Sequence, residues 1–106
     1  MVERKIQISN MPKAHGIDSA KVQTVIEKYY DKLSTRLPGE MFMEVHFKES
    51  HSTGKSSKRE QVEAHVKVVI GGILLHSKHI EWDAEKAVIV ALKAVEKEAD
   101  KAIHKR

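Results

Sequence analysis

Apolar and polar residues alternate from Met41 to Phe47 and again from Val62 to Val68. That period of two marks strands with one buried face. Between them the segment His51 to Arg59 is polar and loop-like. A symmetric antiparallel hairpin across it sets Val45 against Val66, Phe47 against Ala64 and Met43 against Val68. On the opposite face it sets Glu44 against Lys67, His46 against His65 and Lys48 against Glu63. One register therefore predicts both an apolar face and two opposite-charge cross-strand pairs. Gly71-Gly72 is a two-residue turn signal leading into a fourth strand. It predicts Val68 opposite Leu75 and Lys67 opposite His76. Further along, His79 falls inward and Ile80 outward, which predicts a bulge near there. A short run from Lys5 to Ser9 reads as the first strand.

Two segments switch to helical period. In the first, Asp18 or Ser19 is the candidate N-cap. Val22, Ile26, Tyr29, Leu33 and Leu37 share one stripe, and Pro38-Gly39 stops the helix. In the second, Asp83 is the candidate N-cap. Val88, Ala91, Leu92, Val95, Ala99 and Ile103 form the buried stripe. The order is β-α-β-β-β-α. It predicts an α+β fold: a four-stranded sheet with two helices packed on one face.

Length makes this one domain, spanning residues 1–106. With 41% hydrophobic and 32% charged residues the composition is that of a globular chain. No window is apolar enough to span a bilayer and no signal-peptide pattern opens the chain, so no membrane partner and a cytoplasmic location are expected. Cysteine is absent, which removes disulfide and thiolate chemistry. The net charge of +4 favours anionic partners. At ~100° per residue Lys21, Lys28, Lys32 and Arg36 line one exposed side of the first helix. Lys86, Lys93, Lys97 and His104 do the same on the second, with Lys101 beside them. Lysines meet phosphate as mobile point charges, so two basic strips on adjacent helices would suit folded RNA, read by shape. The plainer reading is that these are the solvated faces of two surface helices. Lys55, Lys58 and Arg59 in the long loop would touch RNA phosphate or simply keep the loop soluble.

Catalysis is not expected. Acid-base chemistry needs a positioned pair in a pocket, and none can be argued from these residues. Gly54-Lys55-Ser56 lacks the upstream glycine and the strand-to-helix setting of a phosphate-binding loop. His46, His65 and His76 should cluster on the outer sheet face. Three imidazoles can bind zinc, but Glu and Lys neighbours dilute the cluster, and no metal or other cofactor is expected. The same register puts Phe42, Val69 and Leu74 side by side on that outer face, with Ile80 and Trp82 joining on the edge strand. An exposed apolar patch points to protein contact, here a homodimer or another protein partner, unless residues 10 to 17 or the sheet's twist cover it.

The final stretch carries a family resemblance. Gly71-Gly72 followed by a strand, Asp83, the Ala-rich helix and the terminal Lys101-Ala-Ile-His104-Lys105-Arg106 resembles the ribosome hibernation promoting factors and their ribosome-associated inhibitor relatives. The element order and length match as well. The family's usual aromatic after the capping Asp is replaced by Glu85-Lys86, and Glu96, Glu98 and Asp100 stand among the lysines of the last helix. Without a second, dimerising domain the chain resembles the short form. The resemblance implies a stress-response protein, not an enzyme. It would bind the rRNA of the small ribosomal subunit, in the channel used by messenger and transfer RNA, and hold idle ribosomes inactive. Lys105 and Arg106 join the helix cations as RNA contacts on this reading.

Overall fold

The structure is a computed structural model that describes residues 4–11, 19–36, 39–51 and 60–104, without the side chains at 49–51, 60, 103 and 104. Its elements run β1 (Ile6–Ser9), α1 (Ser19–Arg36), β2 (Met41–His51), β3 (Glu60–Ile70), β4 (Ile73–Glu81) and α2 (Ala84–His104). They form one sheet in the order β1-β2-β3-β4. β1 pairs with β2 in parallel, and the other two pairings are antiparallel. A parallel pair needs a crossover, which α1 supplies. The expected element order and fold class are those observed.

The β2–β3 register is the one the charge and apolar patterns predict, with Val45 opposite Val66, Glu44 opposite Lys67 and His46 opposite His65. Gly71 (φ 54°) and Gly72 (φ 81°) both take the left-handed conformation that a tight hairpin turn requires. Beyond them Val68 meets Leu75 and Lys67 meets His76, as expected. The expected bulge near His79 is absent. The ladder runs unbroken to Val62 opposite Glu81. His79 does point to the inner side, but at the open end of the edge strand it stays half-exposed. There its Nε2 lies 3.0 Å from Oε1 of Glu81, two residues on. An inward polar residue with a partner on its own strand needs no bulge to escape burial.

The inner face of the hairpin is the core. Met41, Met43, Val45, Phe47, Val62, Ala64, Val66, Val68 and Ile70 are all buried. Val22, Ile26, Tyr30 and Leu33 cover them from α1. Val88, Leu92 and Val95 do so from α2, where Ala84, Ala87, Ala91 and Ala99 let the helix sit close. Asp83 caps α2 as expected: its Oδ1 accepts from the Glu85 amide at 3.1 Å, and its carbonyl from the Ala87 amide at 2.9 Å. Leu37, Pro38 and the Asp18 cap lie outside the described residues, as does the side chain of Ile103.

One stripe position is corrected. Tyr30, not Tyr29, occupies the core turn of α1. Positions 22, 26, 30 and 33 keep strict helical spacing, and the choice between adjacent tyrosines is settled by the hydroxyl. Tyr30 Oη donates to the Met41 carbonyl (3.0 Å) and accepts from the Lys5 amide (3.1 Å). It thereby ties α1 to both β2 and the lead into β1. Arg4 adds a second tie, with two hydrogen bonds to the Asp31 carboxylate at 2.9 and 2.8 Å.

Tyr30→Phe should therefore cost about 1–2 kcal/mol in urea unfolding, because it strands a buried carbonyl. Tyr29→Phe should stay within about 0.5 kcal/mol. Equal losses would mean the hydroxyl bridge does nothing. The Arg4 hydrogen bond, then its charge, holds the Asp31 carboxyl below its ordinary range. A folded-state value below the unfolded one stabilises the fold above about pH 4. That contribution is lost as pH falls through the lowered value. An NMR titration should find Asp31 titrating below the ordinary aspartate value, with β1 amide exchange quickening over the same interval. An Asp31 that titrates at the ordinary value would refute the tie.

Candidate nucleic-acid interface

Both helices lie on the same side of the sheet and run the same way. The ion pairs between them show it: Lys21–Glu85 (3.8 Å), Lys32–Glu96 (3.2 Å) and Arg36–Asp100 (3.0 Å). Each joins residues 64 apart (21 to 85, 32 to 96, 36 to 100), a constant offset that only parallel helices give. Arg36 also reaches Glu96 at 3.9 Å. The Glu96 Oε2 is shielded from solvent, and its partners are these two cations rather than a well-formed hydrogen bond. Lys32 also lies 5.5 Å from the Tyr29 ring centroid, and Tyr29 is partly buried at the edge of the core, packed against it rather than enclosed by it.

These contacts divide the expected basic strips. Lys21, Lys32 and Arg36 lie on the α1 flank that turns to α2, and each is engaged by an α2 acid. The acids in the last helix therefore pair with cations of the first. Lys28 is on the outer side of α1, level with Leu92–Lys93 by the same offset. Lys86, Lys93 and Lys97 lie on the side of α2 opposite its core stripe, with Lys101 toward the far flank. All five are exposed and make no ion pair among the described residues. The unneutralised cations thus gather on the outer surface of the helix layer, weighted toward α2. Lys55, Lys58, Arg59, Lys105, Arg106 and the His104 side chain lie outside the described residues.

The opposite face of the sheet is built differently. Phe42, Val69 and Leu74 form one cross-strand row, as the register predicts, and all three are exposed. The next rows hold Glu44, Lys67 and His76, then His46, His65 and Lys78. His65 lies between the other two imidazoles, 6.2 Å from each by ring centroid. These rings, Glu44 and Lys67 line a shallow depression of about 190 Å³. His65 Nε2 lies 2.6 Å from Glu63 Oε1, which Lys78 also approaches at 3.9 Å. Among the described residues no three His or acidic side chains converge in a geometry that would hold a metal ion. Ile80 and Trp82 are exposed but do not join the apolar row. Six residues of extended strand, about 20 Å, separate Ile80 from Leu74. The expected single patch is two patches with a polar, imidazole-rich belt between them. The sequence reading missed this because it assigned faces without measuring along the strand. No helix among the described residues is long and apolar enough to cross a membrane.

No protein-family model matches the chain, and no curated protein matches it in sequence. Solved structures do match in three dimensions. The N-terminal domain of Protein Y from Thermus thermophilus superposes with a TM-score of 0.64 at 16% identity, covering 94% of this chain and 98% of that one. A ribosomal subunit interface protein from Coxiella burnetii gives 0.52 at 16% identity, with 93% and 97% covered. The chain has the fold of these domains along nearly its whole length.

The interhelix pairs are partly exposed, so their strength is modest. A double-mutant cycle on Lys32 and Glu96 should return a coupling of about 0.2–1 kcal/mol that shrinks with added salt. Zero coupling at low salt would show that the two side chains do not pair in solution.

Proposed function

We propose that this protein associates with the ribosome, binding small-subunit rRNA through the outer surface of its helix layer and keeping idle ribosomes inactive without performing chemistry. The observation that carries the reading is the gathering of Lys28, Lys86, Lys93, Lys97 and Lys101, exposed and without acidic partners among the described residues, on a fold shared with the Protein Y domain and a ribosomal subunit interface protein. The resemblance read from the terminal stretch of the sequence falls on the same kind of protein.

The physical basis is phosphate neutralisation. Each lysine that meets a phosphate releases condensed counterions, so affinity rests on charge number and falls steeply with salt. Lys21, Lys32 and Arg36 contribute less on this reading, because the α2 acids already occupy them. The grooved surface between parallel helices suits a folded RNA recognised by backbone shape rather than base sequence. Occupying the channel that messenger and transfer RNA use would block translation by exclusion alone.

Sedimentation through a sucrose gradient tests association directly: the protein should travel with ribosomes or small subunits at low salt and leave them at high salt. Changing Lys86, Lys93 and Lys97 together to Gln should preserve the melting temperature. It should lower the log-log salt slope by roughly one unit per lost phosphate contact. Changing Lys21, Lys32 and Arg36 to Gln should lower the melting temperature and weaken binding less. A protein that stays at the top of the gradient, or a triple α2 variant with unaltered affinity and slope, would sink the proposal.

A further inference from the structure

The two separated apolar patches have a common geometric relation to one residue. Leu74 and Ile80 each stand three residues from Ser77, at opposite ends of the edge strand β4, and are 62% and 45% exposed. We infer that β4 pairs antiparallel with β4 of a second copy about a twofold axis through Ser77, so that one sheet runs continuously across both chains.

The hydrogen-bond pattern permits it. In a two-residue hairpin the residues beside the turn, Ile70 and Ile73, form a hydrogen-bonded pair, and every second residue repeats it. Ile73, Leu75, Ser77, His79 and Glu81 therefore spend their backbone groups on β3. Leu74, His76, Lys78 and Ile80 turn theirs to the open side, where no described strand pairs. An axis at Ser77 sets Leu74 against Ile80 of the second copy and His76 against Lys78, in both directions. These positions are the ones with unused donors and acceptors, giving about eight intermolecular bonds.

Side chains select this register over its neighbours. An axis at Lys78 would oppose Lys78 to itself, a like-charge pair directly across the ladder. An axis at His76 would set Leu74 against Lys78 and Ile80 against the turn. Of the three, the Ser77 axis alone matches apolar with apolar at both ends within β4. The row Phe42–Val69–Leu74 then continues into Ile80 of the second copy, and each half-patch is completed by the other chain.

The helix layer fits as well. α2 packs over β3 and β4, so two strand spacings, roughly 10 Å, would separate the two α2 axes. Packed helices lie about 8–10 Å apart. The flank of α2 turned away from α1 carries Ala94, small enough for close approach, with Glu98 and Lys101 beside it. Sheet edge, outer row and helix flank thus meet a second copy in one placement.

Sedimentation equilibrium from about 1 µM to about 1 mM should show a reversible monomer–dimer equilibrium. Pro at position 76 removes an amide that faces the open edge while leaving the β3 ladder intact. His76→Pro should thus weaken the dimer at least about tenfold with little change in melting. The chain has no cysteine, so single-cysteine variants read the register. Ser77 lies opposite itself as a non-hydrogen-bonded pair with Cα atoms about 4.5 Å apart, inside disulfide range. Ser77→Cys should cross-link to dimer under mild oxidation, and Lys78→Cys should not. A monomer throughout the range overturns the inference. So does cross-linking through Lys78→Cys alone, or an association that survives His76→Pro and is lost in Phe42→Glu, which would move the contact to the flat outer face.

Discussion

Burial of the inner face of the β2–β3 hairpin is the interaction on which the other elements depend. Two strands of 11 residues present Met43, Val45, Phe47, Ala64, Val66 and Val68 as one apolar surface, all fully shielded from solvent. A two-stranded ribbon cannot keep such a surface dry by itself. α1 and α2 close it, and each helix has a stripe of the required width. β1 and β4 extend it at the edges. The element order meets this need, because α1 returns across the face before β2 pairs in parallel with β1, and α2 lies back across it after β4.

That closure also determines where charge is available. Packing α1 beside α2 brings their facing flanks within ion-pair reach, and the acids Glu85, Glu96 and Asp100 meet the cations of α1 there. The described lysines and arginine of the two helices are thereby sorted into two classes. One holds the helices in register, and the other stays on the outer surface. A sum over the sequence sees only the total, and the difference between the classes is produced by packing.

Much of the fold was legible because independent patterns agreed. The β2–β3 register satisfied apolar alternation and the Glu44–Lys67 and Lys48–Glu63 pairs at once, and a one-residue slip would have broken both; the Gly71-Gly72 turn set the β3–β4 register separately. The misreadings came where one pattern spoke alone. Tyr29 and Tyr30 differ by ~100° around α1, and both sit near the stripe. Only the Met41 carbonyl and Lys5 amide, remote in sequence, decide between them. His79 looked like a violation of alternation because strand-end exposure is not written in the period. The division of the lysines was invisible for the same reason: no helix pattern states which flank faces a neighbouring helix, or that the neighbour runs parallel. The histidine cluster was placed correctly, but the distance between Leu74 and Ile80 had to be measured along the strand.

Parallel helices have an electrostatic consequence of their own. Their peptide dipoles add rather than cancel, so each contributes about half a positive charge at its first turn and half a negative charge at its last, at the same ends of the layer. Glu85 stands near the positive end, and Arg36 and Lys101 stand near the negative one. The groove between the helices is consequently polar along its length, with distinguishable ends. An anionic chain lying in it meets a different field when its direction is reversed. On the proposed reading, the helix layer would favour one orientation of an RNA strand without reading a single base.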